Sequence, residues 1–242
     1  MSPTASRRAP ILFEPGSRIV AVMDRPQSPP DRTAERAQMV ASQLARRGIR
    51  DERVLAAFGA VPREAFVDPV DTGLAYDDRP LPIGAGQTIS QPYVVALMIE
   101  ALAVEPADRV LEVGAGSGYA AALLSRLAAE VHALERHPAL AEAAGKRLRR
   151  LGYGNVTVLA ADGLLGLPGA APFEAILVSA GGPVVPPALL EQLAPAGRLV
   201  MPVGGRFEQR LERISRTGAG TFEREDLGAV VFVPLLADVD AE

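Results

Sequence analysis

Glu112, Gly114, Gly116 and Gly118 alternate in the stretch Val110-Leu111-Glu112-Val113-Gly114-Ala115-Gly116-Ser117-Gly118-Tyr119. Residues of these types bind a ligand rather than react with one. Glycine permits positive φ and puts no Cβ between backbone and ligand. A helix start just beyond offers free N–H groups and a positive dipole end. Glu135 lies roughly twenty positions after Gly114, where a carboxylate can hold both hydroxyls of a ribose. Asp162-Gly163 closes a further apolar run. Singly, Glu135 reads as a solvated loop acid and Asp162-Gly163 as an ordinary turn; with the glycine turn they fall on one rim. Ser90, just before Gln91 and Pro92, has the type and place of a helix N-cap. Other chemistry is excluded. The chain has no cysteine, so disulfides, thiolate metal sites and cysteine nucleophiles drop out. The two histidines, His132 and His137, do not share a helical face, and no metal site is expected.

The elements that must position these residues follow from periodicity. Residues 1–30 are rich in Pro, Arg and Ser and predict a mobile N-terminal extension, in which Ile19–Val22 could form a short edge strand. Arg7 and Arg8 precede Ile11-Leu12-Phe13, but Glu14 and Pro15 cut that run far short of a signal-peptide core. Asp31–Arg47 has a helical stripe of Met39, Val40 and Leu44, stopped by Gly48. Asp51 caps a second helix with Val54, Leu55 and Phe58 inward, closed before Pro62. Ala75–Pro92 holds several prolines and glycines and predicts a long irregular loop. A helix over Tyr93–Ala101 follows.

Beyond Pro106, strands at Arg109–Val113, Glu130–Leu134, Asn155–Ala160, Phe173–Val178 and Gly197–Val203 alternate with helices at Gly118–Ala129, Pro138–Leu151 and Pro186–Leu193. That alternation implies a parallel sheet covered on both faces. Arg210–Arg216 and Val230–Leu236 lack a helix between them and predict a closing antiparallel pair. The expected divisions are 1–30, then 31–107 carrying helices and loop packed on the core, then 108–242 as the α/β core.

Ligands of open α/β sheets sit beyond the carboxyl ends of the strands, near the switch point. A dinucleotide wants a small residue where Tyr119 stands. Glu112 would also bring negative charge towards a pyrophosphate. A cationic sulfonium tolerates that charge better, and Glu112-x-Gly114-x-Gly116-x-Gly118 is the S-adenosylmethionine pattern of class I methyltransferases.

Further stretches carry a more specific resemblance: Val61-Pro62-Arg63-Glu64-Ala65-Phe66-Val67, Pro80-Leu81-Pro82-Ile83-Gly84, Gly86-Gln87-Thr88-Ile89-Ser90-Gln91-Pro92, Gln209-Arg210-Leu211 and Phe232-Val233-Pro234-Leu235. With the glycine turn and Asp162-Gly163, they resemble the protein-L-isoaspartate (D-aspartate) O-methyltransferase family from about Met39 to Leu236. The resemblance implies a Rossmann-like, doubly wound and mostly parallel sheet, with N-terminal helices and an antiparallel C-terminal strand pair. It makes Ser90 the active-site serine. S-adenosyl-L-methionine, leaving as S-adenosyl-L-homocysteine, would be bound by Gln87, Thr88 and Ile89, by Glu112, Gly114, Gly116 and Gly118, and by Glu135, Arg136, Asp162 and Gly163. The substrate side would include Pro82, Ile83, Gln91 and Gln209. One departure is Ser179-Ala180-Gly181-Gly182-Pro183, where the family shows a threonine or alanine, small residues and proline.

The activity so implied is methylation of the free α-carboxylate of L-isoaspartyl residues, or the β-carboxylate of D-aspartyl residues, in damaged proteins. A succinimide then forms and leads to repair. A carboxylate is already ionised at neutral pH, so no strong general base is required. Rival readings are an O-methyltransferase acting on an aspartate of a dedicated peptide precursor and a non-catalytic S-adenosylmethionine-binding module. The first commonly carries extra C-terminal sequence, and few residues follow Leu236. The formal net charge of −4 offers no electrostatic case for nucleic acid or anionic membrane. A cytoplasmic monomer acting on isoaspartyl-containing proteins and peptides is expected.

Overall fold

The computed structural model describes residues 31–236. The expected N-terminal extension and its Ile19–Val22 strand lie outside the described residues. The first helical stretch is not one uniform helix. An α-helix, α1 (Thr33–Met39), widens into a π-helical turn over Val40–Leu44, then tightens into a 3-10 turn over Ala45–Arg47. Gly48 ends it with φ of 109°, a backbone state open to glycine. In α2 (Glu52–Ala60), the Asp51 side chain accepts the Arg53 N–H at 2.8 Å, and Val54, Ala57 and Phe58 face the core.

The segment read as irregular contains a hairpin. Strands β1 (Leu81–Gly84) and β2 (Gln87–Ile89) pair antiparallel, with Leu81 opposite Ile89 and Pro82 opposite Thr88. The turn uses positive φ at Ala85 and Gly86. Strands this short show no period of two. Helix α3 (Pro92–Leu102) follows, with Pro92 in the first turn.

The main sheet has seven strands: β3 (Arg109–Val113), β4 (Glu130–Glu135), β5 (Val156–Ala160), β6 (Phe173–Val178), β7 (Leu193–Gly204), β8 (Gln209–Gly218) and β9 (Thr221–Val230). Their spatial order is β5-β4-β3-β6-β7-β8-β9. The first five run parallel; β8 pairs antiparallel with both β7 and β9. The strand order therefore reverses at β3, which places the glycine turn at the switch point. Helices α4 (Tyr119–Leu124), α5 (Pro138–Arg150) and α6 (Pro187–Glu191) join the strands. The α4 helix stops earlier than the alanine-rich sequence suggests; Arg126 and Leu127 donate instead to the carbonyls three residues back.

The closing pair needs correction. Its second member is Thr221–Val230, not Val230–Leu236. The segment after Val230 belongs to no strand; Pro234 forms an isolated bridge with Gly181, and Phe232 bonds the side chain of Gln209 in β8. Burial on both faces explains the unbroken apolar character of the central strands. On β3, Val110 enters one apolar cluster, while Leu111 and Val113 enter the other. The first cluster also holds Met39, Phe58, Phe66 and Val95 from the N-terminal segments.

Candidate active site

The turn after β3 takes positive φ at Gly114 (89°), Gly116 (52°) and Gly118 (87°). The Gly114 and Ala115 N–H groups both donate to the Leu134 carbonyl, at 2.8 and 2.9 Å, which ties the turn to the end of β4. Glu135, 4% exposed, completes the tie. Its Oε2 accepts the Gly116 N–H at 2.8 Å, and its Oε1 accepts the His137 N–H at 2.9 Å. The acid thus shapes the glycine turn as well as lining the space above it. At the next strand end, the Asp162 Oδ1 accepts the Leu164 N–H at 2.8 Å. A Cβ at Gly163 would lie 2.4 Å from the Val113 Cγ1, so only glycine lets these strand ends close together.

Three clefts adjoin at these strand ends. The first, about 530 Å³ with its open mouth, is lined by Gly114, Gly116, Glu135, Arg136 and Gly163, with Gln87 and Thr88 on one side. The second is broader, about 1250 Å³ with its mouth, and is lined by Thr88, Ser90, Gln91, Arg206, Phe207 and residues Ala229 to Pro234. A smaller inner cleft lies against Thr88, Ile89, Ser90, Glu112, Tyr119 and Ser179. Thr88 and Ser179 line all three, which makes them the junction.

Ser90 is not a helix cap. The residue at the N-cap of α3 is Gln91, and no side chain caps that helix. Ser90 lines the inner and broad clefts, and its carbonyl accepts from Arg63 Nη2 at 2.8 Å. Pro82, Gly118, Asp162 and Gln209 line none of the three clefts. Ile83 packs instead from behind, where a Cβ at Gly116 would come 3.0 Å from its Cδ1. Gln209 is buried and holds the cleft wall from outside. Its Oε1 accepts the Phe232 N–H at 2.8 Å, and its Nε2 donates to the Phe232 carbonyl at 3.3 Å. Gln91 donates to the Asp78 carbonyl at 3.0 Å.

Sequence reasoning passed over three features. Ser179 stood out only as a departure, and neither Arg206-Phe207 nor the Val233–Leu236 wall carried a site signal. The wall is anchored by the Leu235 N–H donating to Gly181 at 2.7 Å and the Gly181 N–H donating to Val233 at 2.8 Å. A period-based reading cannot find such a strap, because its partners are remote in sequence.

Glu112 is 1% exposed, and its Oε2 has no hydrogen-bond partner within the protein. Burial pushes its carboxyl well above the usual range, and the nearby Glu135 carboxylate adds to the rise; the Ala121 N–H pulls the other way. The native state then keeps a proton that the unfolded chain releases. Stability of the ligand-free protein is therefore expected to fall as pH rises from about 4.5 through the raised value. Glu112→Gln, which cannot ionise, should flatten that slope in a series of thermal midpoints against pH. An unchanged slope would assign the pH dependence to other groups.

Glu112 lines the inner cleft with one buried oxygen unpartnered, and a cation there would offset the cost of its charge. That favours a positively charged ligand over a pyrophosphate. The doubly wound, mostly parallel sheet with its antiparallel C-terminal strands is that of a class I methyltransferase. The family model described as protein-L-isoaspartate(D-aspartate) O-methyltransferase matches residues 34–240, and the chain belongs to that family. It is 59% identical over 215 residues to a protein-L-isoaspartate O-methyltransferase of Methylorubrum extorquens, covering 89% of this chain and 94% of the relative. Among solved structures, one protein-L-isoaspartate O-methyltransferase aligns with a TM-score of 0.75 at 27% identity, over 84% of this chain and 66% of that one. Another, from Plasmodium falciparum, is described as such an enzyme in complex with S-adenosyl-L-homocysteine. It aligns with a TM-score of 0.73 at 26% identity, over 83% of this chain and 98% of that one.

Proposed function

We propose that this chain methylates the free α-carboxylate of L-isoaspartyl residues, or the β-carboxylate of D-aspartyl residues, in damaged proteins, with S-adenosylmethionine as donor. The observation that carries this reading is the junction at Thr88 and Ser179, where three clefts meet and two of them border Ser90; it supports a donor side and an acceptor side in contact. When bound, S-adenosylmethionine supplies a methyl carbon on a cationic sulfur; the acceptor carboxylate takes that methyl, and the electron pair of the broken bond stays on sulfur. The residues present suit such a donor. Glu135 and Arg136 would flank the ribose, Gly163 would leave room on the adenine side, and Gly114 to Gly118 would carry the methionine part. Glu112 would answer its cationic end with the carboxyl oxygen, Oε2, that otherwise lacks a partner.

The acceptor needs alignment more than activation, because its carboxylate is ionised at neutral pH. Ser90 would donate its hydroxyl to one carboxylate oxygen and leave the other to react. Recognition of an extended peptide along the broad cleft would rest on backbone contacts and so tolerate many sequences. The ester then cyclises to a succinimide, whose hydrolysis returns some normal aspartate. The reading includes a cytoplasmic monomer that takes neither nucleic acid nor membrane as partner. The net charge of −4 gives no electrostatic pull towards nucleic acid or anionic membrane. No helix among the described residues is long and apolar enough to cross a membrane.

Incubation with labelled S-adenosylmethionine and paired peptides differing in Asp or isoAsp tests this directly. Label is expected on the isoAsp peptide alone. Equal labelling of both, or none, would sink the repair assignment.

A further inference from the structure

Arg63 is completely buried, an unusual place for a guanidinium. It faces no carboxylate within ion-pair distance among the described residues, and its Nη1 has no hydrogen-bond partner. Burial draws its pKa below the ordinary arginine value; the adjoining Tyr119, and to a lesser degree Tyr76 and the Asp78 carboxylate, oppose that. An arginine stays cationic under any ordinary condition. A buried cation without a carboxylate in contact is costly, and an apolar side chain of similar volume would fill the space without that cost. What an apolar side chain could not do is bridge.

Three remote parts of the chain converge on this one guanidinium. Its Nε donates to the Ala75 carbonyl at 2.8 Å, and its Nη2 donates to the Ser90 carbonyl at 2.8 Å. Its Cζ lies 4.9 Å from the ring centroid of Tyr119. Tyr119 opens α4 directly after the glycine turn and lines the inner cleft with Ser90 and Glu112. The Tyr119 ring is locked in turn by edge contacts with Phe66 at 5.5 Å and Phe58 at 6.0 Å, and burial pushes its phenol up to about 12. The planar fork of arginine suits two carbonyls and a ring face together; an ammonium does not.

We propose that Arg63 is a positioning residue for methyl transfer: it holds the Ser90 segment against Tyr119 at the foot of the glycine turn, so that acceptor and donor clefts keep one register. The inference rests on the methyl-transfer reading above. Misplacement of reacting atoms by about 1 Å through a remote change costs on the order of 100-fold in rate. Arg63→Met should therefore lower kcat on an isoAsp peptide by roughly 100-fold, while the dissociation constant for S-adenosylhomocysteine stays within a factor of about three.

Hydrogen exchange at the amides of Gln87 to Gln91 should accelerate in the variant, while those of β3 and β4 stay protected. Unchanged exchange there, or a parallel loss of cofactor affinity and rate, would overturn the proposal. Arg63→Lys keeps the charge but not the fork, and serves also if the Met variant does not fold. It is expected to accelerate the same amides and to lose about tenfold in kcat. A lysine variant with wild-type kcat and wild-type exchange would overturn the proposal too. The exchange measurement needs no turnover, so its outcome stands apart from the wild-type peptide assay that tests the underlying reading.

Discussion

Replacing Glu135 by alanine is expected to weaken S-adenosylhomocysteine binding by about 100-fold, close to 3 kcal/mol at 1.4 kcal/mol per tenfold. The size follows from what the carboxylate holds. Its two oxygens accept the backbone N–H groups of Gly116 and His137, at 2.8 and 2.9 Å, in a site with little solvent access. Each charge-assisted bond contributes roughly 1.5–3 kcal/mol, and its loss leaves a donor without a partner. The Gly116 bond shapes the turn proposed to receive the methionine part, so the loss would spread beyond the ribose contact. Glu135→Gln keeps one acceptor oxygen and should fall between the two. Calorimetric titration measures the affinity, and the thermal midpoint of the ligand-free variant separates turn distortion from lost ligand contact. Binding by the alanine variant within threefold of wild type would show that Glu135 does not hold the ligand.

Ser90→Ala should separate rate from binding. Ser90 lines the inner and broad clefts but not the one that Glu135 and Gly163 border, so cofactor affinity should stay within about twofold. Turnover on an isoAsp peptide should fall by about 10- to 100-fold, the range for losing one hydrogen bond that orients a reacting group. Stability supplies an internal control. Loss of a helix N-cap costs typically about 1 kcal/mol, but Gln91, not Ser90, occupies the N-cap of α3, and no side chain caps it. The alanine variant should therefore melt with the wild type. An unchanged rate together with a lowered midpoint would return Ser90 to a purely structural role.

The order of strands and helices beyond Pro106 was legible because each central strand is buried on both faces and each helix has its own stop. Local patterns of apolar residues, proline and glycine are sufficient there. Strand β9 escaped notice for the opposite reason. Thr221–Val230 is an edge strand crowded with charge, with neither face fully covered. What aligns it is pairing across to β8: Arg210 with Asp226 at 2.6 Å, Arg213 with Glu225 at 2.6 Å, and Arg224 with Glu212 at 3.0 Å. Such pairs are invisible until the register is known. The β1–β2 hairpin was hidden by its length.

Sequence alone determined the glycine turn, the acid at Glu135 and the class of ligand they suit, because backbone conformation and charge type are local properties. Gly114, Gly116 and Gly118 do take the left-handed conformations their spacing implied. Tertiary structure decided which side chains stand beside them. It put Ser90, which the family resemblance had singled out and local pattern had read as a cap, on two clefts, and it set Gln209 behind the wall. It brought Ser179 to the junction and gave the buried Arg63 a carbonyl twenty-seven residues away to hold. Those assignments depend on contacts between segments far apart in the chain. Loop closure and packing, which no local period records, establish them.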